Sequence, residues 1–470
     1  MSENKTHGQH EIGDISDLVD HISSLPDCIL HHILSFMPTK EAVKTSILSR
    51  RWKNENLWVF ASKIDFDDDL LFSREVHGWH LPDVTSFVNL VERFFQLRNA
   101  LNLEKFRLTC RGCYHESRIH SWISNAIMHN VQELDLTFRS AGRSMIPWSM
   151  LYRTSLVTLK IRMSCITELP SHFSFPCLKT FHLASIRFLN DDCTEETFLG
   201  CPVLRELVLL DCKWMSSQNI AISSSTLKSL TINDLLSFNP SYDSMISIFN
   251  PSYDPIGFIK IDATNLTYFE YSGYLSNEIL FNNASSLVKA CIHIPPSEWK
   301  NRVACRVVDL LKRLQHVVSL SVSNPTIESL MFVDNMRARF PMFLKFSHLV
   351  LTMEIGNNAF GAVMDFLYSC PLLQSICIYE GFKHRMRLGE NDPIWLSLPT
   401  CVSNCLKTMT FKNFHAYDLE ICFVKCVLKY ACVLERMDIW WFDTELQDPK
   451  KTEVKAELEM ISTAYVIKFS

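Results

Sequence analysis

The sequence predicts an α/β chain: a short three-helix head, then a solenoid whose parallel strands line a curved sheet, with helices or loops returning on its outer side. Three observations predict it. After a polar N-terminus, apolar residues appear at helical spacing from Ile29. From residue 103 a six-residue pattern, L-x-x-L-x-L, recurs thirteen times. The 470 residues are 47% hydrophobic but contain only 12 glycines, so a large core is affordable and glycine-rich loops are not. The expected divisions are a disordered tail at 1–16, the helical head at 17–62, a linker or N-terminal cap at 63–100, repeats at 101–392 and a distinct terminal region at 393–470.

Leu25-Pro26-Asp27 opens the first helix, with Asp27 suited to the N-cap. Ile29, Leu30, Ile33, Leu34 and Met37 then form one apolar face, and Pro38 stops the helix. Thr39 can cap a second helix carrying Ala42, Val43, Ile47 and Leu48. Ser49 can cap a third that begins Arg50-Arg51-Trp52. Three short helices cannot bury this much apolar surface among themselves, and the excess argues for a partner.

The repeat is clearest at Leu156-x-x-Leu159-x-Ile161, Leu204-x-x-Leu207-x-Leu209 and Leu227-x-x-Leu230-x-Ile232. Other units start at Leu103, Val131, Leu178, Leu266, Leu287, Val317, Phe346, Leu373, Leu406 and Leu434, a mean period of about 28 residues. That period is the one expected of leucine-rich repeats. The last two apolar residues alternate on a short strand and point inward, and each unit buries them only against its neighbours. The outward middle positions run Arg107, Asp135, Lys160, His182, Val208, Thr231, Glu270, Cys291, Ser321, Val350, Cys377, Thr410 and Asp438. They mix signs and polarity, where a nucleic-acid face would show a basic stripe with aromatics. Lys160, His182, Val208, Thr231 and Glu270 are the candidate substrate-binding residues. The widest gap, Leu227 to Leu266, holds a duplication, Phe238-Asn-Pro-Ser-Tyr-Asp243 and Phe249-Asn-Pro-Ser-Tyr-Asp254, expected to be a surface insertion.

Several function classes drop out. No two glycines are spaced G-x-G, and Ala362 stands where a P-loop would need lysine. No G-x-S-x-G elbow and no nucleophile–base pair is recognisable, so no enzyme, catalytic residue or cofactor is expected. A net charge of −5 gives no field to gather nucleic acid or anionic lipid. No N-terminal apolar segment reads as a secretory signal and no stretch is long and apolar enough to span a membrane, which points to the cytoplasm or nucleus. There the 17 cysteines stay reduced and mostly serve as small buried hydrophobes. Cys110-x-x-Cys113-x-His115-x4-His120 has zinc-compatible residue types but crowds all four within 11 residues, so no metal is expected. The pairs Cys401/Cys405 and Cys422/Cys426 are likewise read as packing, His31-His32 as surface, and Asp65, Asp67, Asp68 and Asp69 as a solvated acidic linker.

Residues 17–62 resemble the F-box, through Leu25-Pro26-Asp27, Ile29-Leu30, Ile33-Leu34, the Pro38 break, Ala42-Val43 and the run Ile47-Leu48-Ser49-Arg50-Arg51-Trp52. The body resembles the large plant family of F-box proteins with leucine-rich repeats, through Cys201-Pro-Val-Leu-Arg-Glu-Leu-Val-Leu-Leu-Asp-Cys212 and Cys370-Pro-Leu-Leu-Gln-Ser-Ile376. The stretch from Leu398-Pro399-Thr400-Cys401 through Leu406 to Phe414 and Val433 to Met437 is similar to the FBD region that closes many such proteins. The resemblance implies a non-catalytic substrate receptor of a Skp–cullin–F-box ubiquitin ligase. It also implies that Leu25, Pro26, Ile29, Leu30, Ile33, Leu34, Pro38, Val43, Ile47, Leu48, Arg51 and Trp52 meet a Skp-type adaptor, and through it a cullin, while the repeats hold an unknown protein. The family pattern R-W-(K/R)-x-L-W is here two residues longer, Arg51 to Trp58. On a continuous helix two extra residues rotate the downstream side chains by about 200°, turning Leu57 and Trp58 off the adaptor face or the join to the repeats. The alternative is therefore a repeat scaffold or ligand sensor whose F-box does not support ligase assembly.

Overall fold

A computed structural model describes residues 21–69, 84–98, 102–139, 146–151, 155–167, 174–188, 200–214, 219–234, 257–275, 277–296, 300–333, 339–352, 359–382, 398–442, 448–461 and 466–469. The expected N-terminal tail and the 238–254 duplication lie outside the described residues. The chain forms two compact units, Met1–Leu134 and Asp135–Ser470.

In the first unit, three helices obey the expected punctuation: α1 (Asp27–Ser35), α2 (Thr39–Lys44) and α3 (Arg50–Asn54). Their N-caps are Pro26, Pro38 and Ser49, so two helices begin one residue away from the expected caps. Thr39 instead uses its hydroxyl to accept the Asp65 N–H at 2.6 Å. The two-residue extension does not prolong α3. Asn56 takes a left-handed conformation, φ 46°, and a 3-10 turn comes next at Leu57–Phe60. Asn tolerates this conformation better than most residues, so the rotation expected of a continuous helix does not arise and Leu57, Trp58 and Val59 are all buried.

The segment expected as a solvated acidic linker is a strand. β1 (Lys63–Asp67) pairs in parallel with β2 (Lys105–Cys110), from Lys63 opposite Lys105 to Asp67 opposite Thr109. Its inward residues Ile64 and Phe66 join Phe106 and Leu108 beneath α4 (Thr85–Leu97) and α5 (Glu116–Met128). Phe66 lies 5.4 Å from the Phe94 ring and 6.1 Å from Phe106, both edge-on, a preferred aromatic geometry. Asp68 is fully buried rather than solvated. Its carboxylate accepts the backbone N–H groups of Arg111 (2.8 Å) and Gly112 (3.0 Å) and the Tyr114 hydroxyl (2.9 Å). Buried Arg98 donates to the carbonyls of Val59 (2.6 Å), Ala61 (3.0 Å) and Asn102 (2.9 Å), fastening the end of the head to the first repeat. Burial lowers its guanidinium pKa to about 10.

β3 (Glu133–Phe138) starts at the end of the first unit. The second unit contains β4 (Thr158–Thr167), β5 (Thr180–Phe188), β6 (Glu206–Leu210), β7 (Lys213–Trp214), β8 (Asn219–Ser223), β9 (Ser229–Asn233), β10 (Phe258–Asp262), β11 (Tyr268–Ser272), β12 (Glu278–Phe281), β13 (Lys289–His293), β14 (Ser319–Ser323), β15 (His348–Thr352), β16 (Ser375–Ile378), β17 (Thr408–Phe414), β18 (Arg436–Trp441) and β19 (Val466–Phe469). Its main sheet runs β4-β5-β6-β9-β11-β13-β14-β15-β16-β17-β18-β19, every neighbouring pair parallel. The return segments are helices at Lys300–Arg313, Ala359–Tyr368 and Asp418–Tyr430. Between these and the earlier repeats, β8, β10 and β12 instead form a second parallel sheet.

All thirteen repeat-start residues are buried, and so are the two apolar positions after each of them. One backbone device sets the register. At each step, two successive N–H groups of one repeat converge on a single carbonyl of the repeat before. Lys179 and Thr180 donate to Val157, Arg205 and Glu206 to Lys179, Lys228 and Ser229 to Arg205, and the series continues to Glu435 and Arg436 on Lys407, all at 2.7–3.1 Å. The acceptor is always the residue after the repeat start. We therefore expect Leu320→Ala, at a fully buried position of β14, to cost about 2–5 kcal/mol in thermal unfolding. Ser321→Ala, one residue on and facing outward, should stay within about 0.5 kcal/mol of the parent; equal effects would contradict the register.

Candidate partner-binding surfaces

Of the twelve candidate adaptor residues, three line the interior of the head and four form an outward apolar stripe. Leu30 and Leu34 of α1, together with Ala42 and Trp52, close the interior. Trp52 Nε1 donates to the Ser23 hydroxyl at 2.9 Å, and that hydroxyl in turn donates to Ser49 Oγ at 2.9 Å. Arg51 is tied back to the chain before α1, donating to the carbonyls of Ser23 and Leu25 and pairing with Asp27 and Glu55. Leu25 and Val43 are half-buried, while Pro26 and Pro38 are exposed as caps.

The outward stripe comprises Ile29, Ile33, Ile47 (86% exposed) and Leu48 (60% exposed). Phe36, outside the set expected from the sequence, is 76% exposed. The spacing Ile29, Ile33, Phe36 (i, i+4, i+7) is one helical stripe, and Leu30, Leu34 is the next. That spacing was the signal that could have found Phe36. His31, expected at the surface, is half-buried and stacks on Phe60 with ring centroids 4.5 Å apart. Burial lowers its pKa.

In the second unit the register brings the predicted outward positions into one row. Lys160 lies opposite His182, His182 opposite Val208, Val208 opposite Thr231, and Thr231 opposite Glu270. The row continues through Cys291, Ser321, Val350, Cys377, Thr410 and Asp438. His182 Nε2 lies 3.3 Å from Glu206 Oε1, yet burial outweighs that carboxylate and lowers the imidazole pKa. Glu270 accepts the Tyr268 hydroxyl at 2.6 Å.

Cysteine chemistry is muted. Cys110 sits in the core and Cys113 is exposed, while His115 caps α5 by accepting the Ser117 N–H. Among the described residues, no group of three or more His, Cys, Asp or Glu is arranged to hold a metal. Burial pushes the thiols of Cys201, Cys212 and Cys401 up to about 12 and that of Cys426 to about 11, far from a reactive thiolate. No described helix is long and apolar enough to cross a membrane.

The terminal repeats are joined at Glu420, the third residue of helix Asp418–Tyr430. Its buried carboxylate accepts N–H groups from Phe382 (3.0 Å), His415 (2.9 Å) and Tyr417 (3.2 Å). Gly381 approaches that carboxylate at φ +63°, and a Cβ there would collide with it. Burial raises the Glu420 pKa from 4.5 to about 7, against the pull of the N–H donors.

A short helical head with an outward apolar stripe, continued by stacked leucine-rich repeats, defines an F-box protein with a repeat body. Comparison with known families agrees segment by segment. The F-box domain matches residues 22–54, the LRR repeats of the FBD-associated F-box protein At5g56370 match 119–241, and the FBD matches 395–439. The putative F-box/FBD/LRR-repeat protein At3g59240 of Arabidopsis thaliana is 32% identical over 475 residues, covering 95% of this chain and 88% of the relative. The F-box/LRR-repeat proteins At4g14096 and At3g59210 of the same plant are 29% and 28% identical, each covering 93% or more of both chains. The chain belongs to the plant F-box/FBD/LRR-repeat family.

A carboxyl whose pKa is raised on folding contributes most below its unfolded value, and the contribution fades as pH rises through the folded value. Stability should therefore carry a declining component between pH 4.5 and about 7 that Glu420→Gln removes. The same substitution turns an amide NH2 toward N–H donors and should cost about 1–3 kcal/mol at any pH in that range. Melting temperatures over a pH series check both.

Proposed function

We propose that the chain is the substrate-recognition subunit of a Skp–cullin–F-box ubiquitin ligase. It docks a Skp-type adaptor, and through it a cullin, by the head, and holds a target protein on the outward face of the repeats. The observation that carries this reading is the outward stripe Ile29, Ile33, Phe36, Ile47 and Leu48, displayed by a head whose interior Leu30, Leu34 and Trp52 already close. Large apolar side chains left at the surface of a folded domain mark association surfaces. The reading keeps 17–62 as the docking head, 101–392 as the recognition body and 393–470 as its closing region. It places the protein in the cytoplasm or nucleus, where its free thiols stay reduced. No chemistry is assigned to the chain; a receptor acts by raising the target's effective concentration beside a ubiquitin-charged enzyme. Lys160, His182, Val208, Thr231 and Glu270 are its candidate target contacts.

The alternative, a scaffold or sensor that does not assemble a ligase, rested on the longer spacing before Trp58. Affinity capture of adaptor and cullin separates the two. We expect Ile33→Asp with Ile47→Asp to abolish adaptor capture while leaving the melting temperature within about 2 °C, since both side chains are exposed. Leu30→Ala should instead destabilise the head by about 2–5 kcal/mol. Full adaptor capture by the double Asp variant would refute the docking assignment.

A further inference from the structure

The outward face changes character toward its C-terminal end. β14 and β15 display only serine, threonine, valine and histidine there. Beyond them, Tyr379 comes just after β16, and Lys412 and Trp440 lie on β17 and β18. The register places the three side by side: Ile378 is opposite Phe411 and Phe411 opposite Ile439, and each of the three is the next residue along. At this point the β17–β18 ladder shifts between Phe411 and Phe414, with Asn413 left-handed at φ 51°. Such a bulge re-aims the side chains it carries.

Lys412 Nζ sits 4.1 Å from the centre of the Tyr379 ring, a cation–π contact. No carboxylate pairs with Lys412 among the described residues. The neighbouring cation, Arg436, is already held by Asp438 at 2.7 Å. Tyr379 is 41% exposed and Trp440 50% exposed. Exposed Trp and Tyr around a charge are the side chains over-represented at the energetic centres of protein interfaces.

We infer that the Tyr379–Lys412–Trp440 row is the docking point for an acidic segment of a partner protein, one carboxylate meeting Lys412 and an adjacent apolar side chain packing on Trp440. This deepens the receptor reading and rests on it. A protein segment fits better than nucleic acid. Binding a phosphate backbone takes a track of cations, whereas here Lys412 sits between two aromatic rings, Arg436 is neutralised by Asp438, and the chain carries a net charge of −5.

The test is selection of a random peptide library on the purified full chain. Peptides bearing Asp or Glu beside an apolar residue should be enriched. Lys412→Glu should switch the enriched residue to Lys or Arg, Lys412→Arg should keep the acidic preference, and Trp440→Ala should weaken the selected peptide at least tenfold. Trp440 is exposed and Lys412 is half-buried, so melting curves are recorded beside the binding data, and Lys412→Arg, which keeps the charge, should match the parent. Enrichment of nothing, acidic peptides that bind Lys412→Glu equally well, or displacement of the peptide by single-stranded DNA would each overturn the inference. Adaptor capture measured on the same preparations keeps the two claims apart. Loss of adaptor binding strikes the receptor reading, and loss of peptide selectivity strikes this one.

Discussion

The repeat body depends on one small backbone arrangement, the carbonyl that accepts two successive N–H groups from the next repeat. Because it recurs at the same position after each repeat start, from Val157 to Lys407, strands enter the sheet without slipping. A slip of one residue would turn every apolar side chain of a strand to the wrong face. The same pattern appears in the first unit, where Ser62 accepts Glu104 and Lys105, and Glu104 accepts Gln132 and Glu133. The apolar positions then stack, Leu159 beside Phe181 beside Leu207 beside Leu230, and the outward residues fall into rows. The outward rows are thus a by-product of how the core is held.

Much of this was legible in the sequence because the repeat obeys two periods at once. Alternation within each strand names the inward and outward residues, and recurrence about every 28 residues names the partners. Features outside that grammar were not legible. β1 reads as an acidic linker because its aspartates dominate so short a segment, and only pairing with β2 shows Ile64 and Phe66 as core. The sheet of β8, β10 and β12 sits in return segments that carry no motif. Asp68 and Glu420 are hubs only because donors distant in sequence converge on them, Arg111, Gly112 and Tyr114 in one case and Phe382 in the other.

The head shows the same limit at finer scale. Helical spacing found its apolar residues but merged two adjacent stripes, one that closes the head and one that faces out. Burial separates them: Leu30, Leu34 and Trp52 lie inside the head, and Phe36 joins the residues that face out. The two-residue extension, alarming on a continuous helix, is absorbed by the left-handed turn at Asn56. Arg98 then locks the adjoining 3-10 turn to the first repeat through three carbonyls.

On the proposed reading, a pre-closed head docks an adaptor by its outward stripe while the repeats are left free for a target. Hydrogen exchange of the full chain, with and without a Skp-type adaptor, tests it most directly. Added protection should be confined to residues 27–54, with the strands from β4 onward unchanged. Protection that falls on the repeat strands instead, or none on α1 to α3, would contradict it.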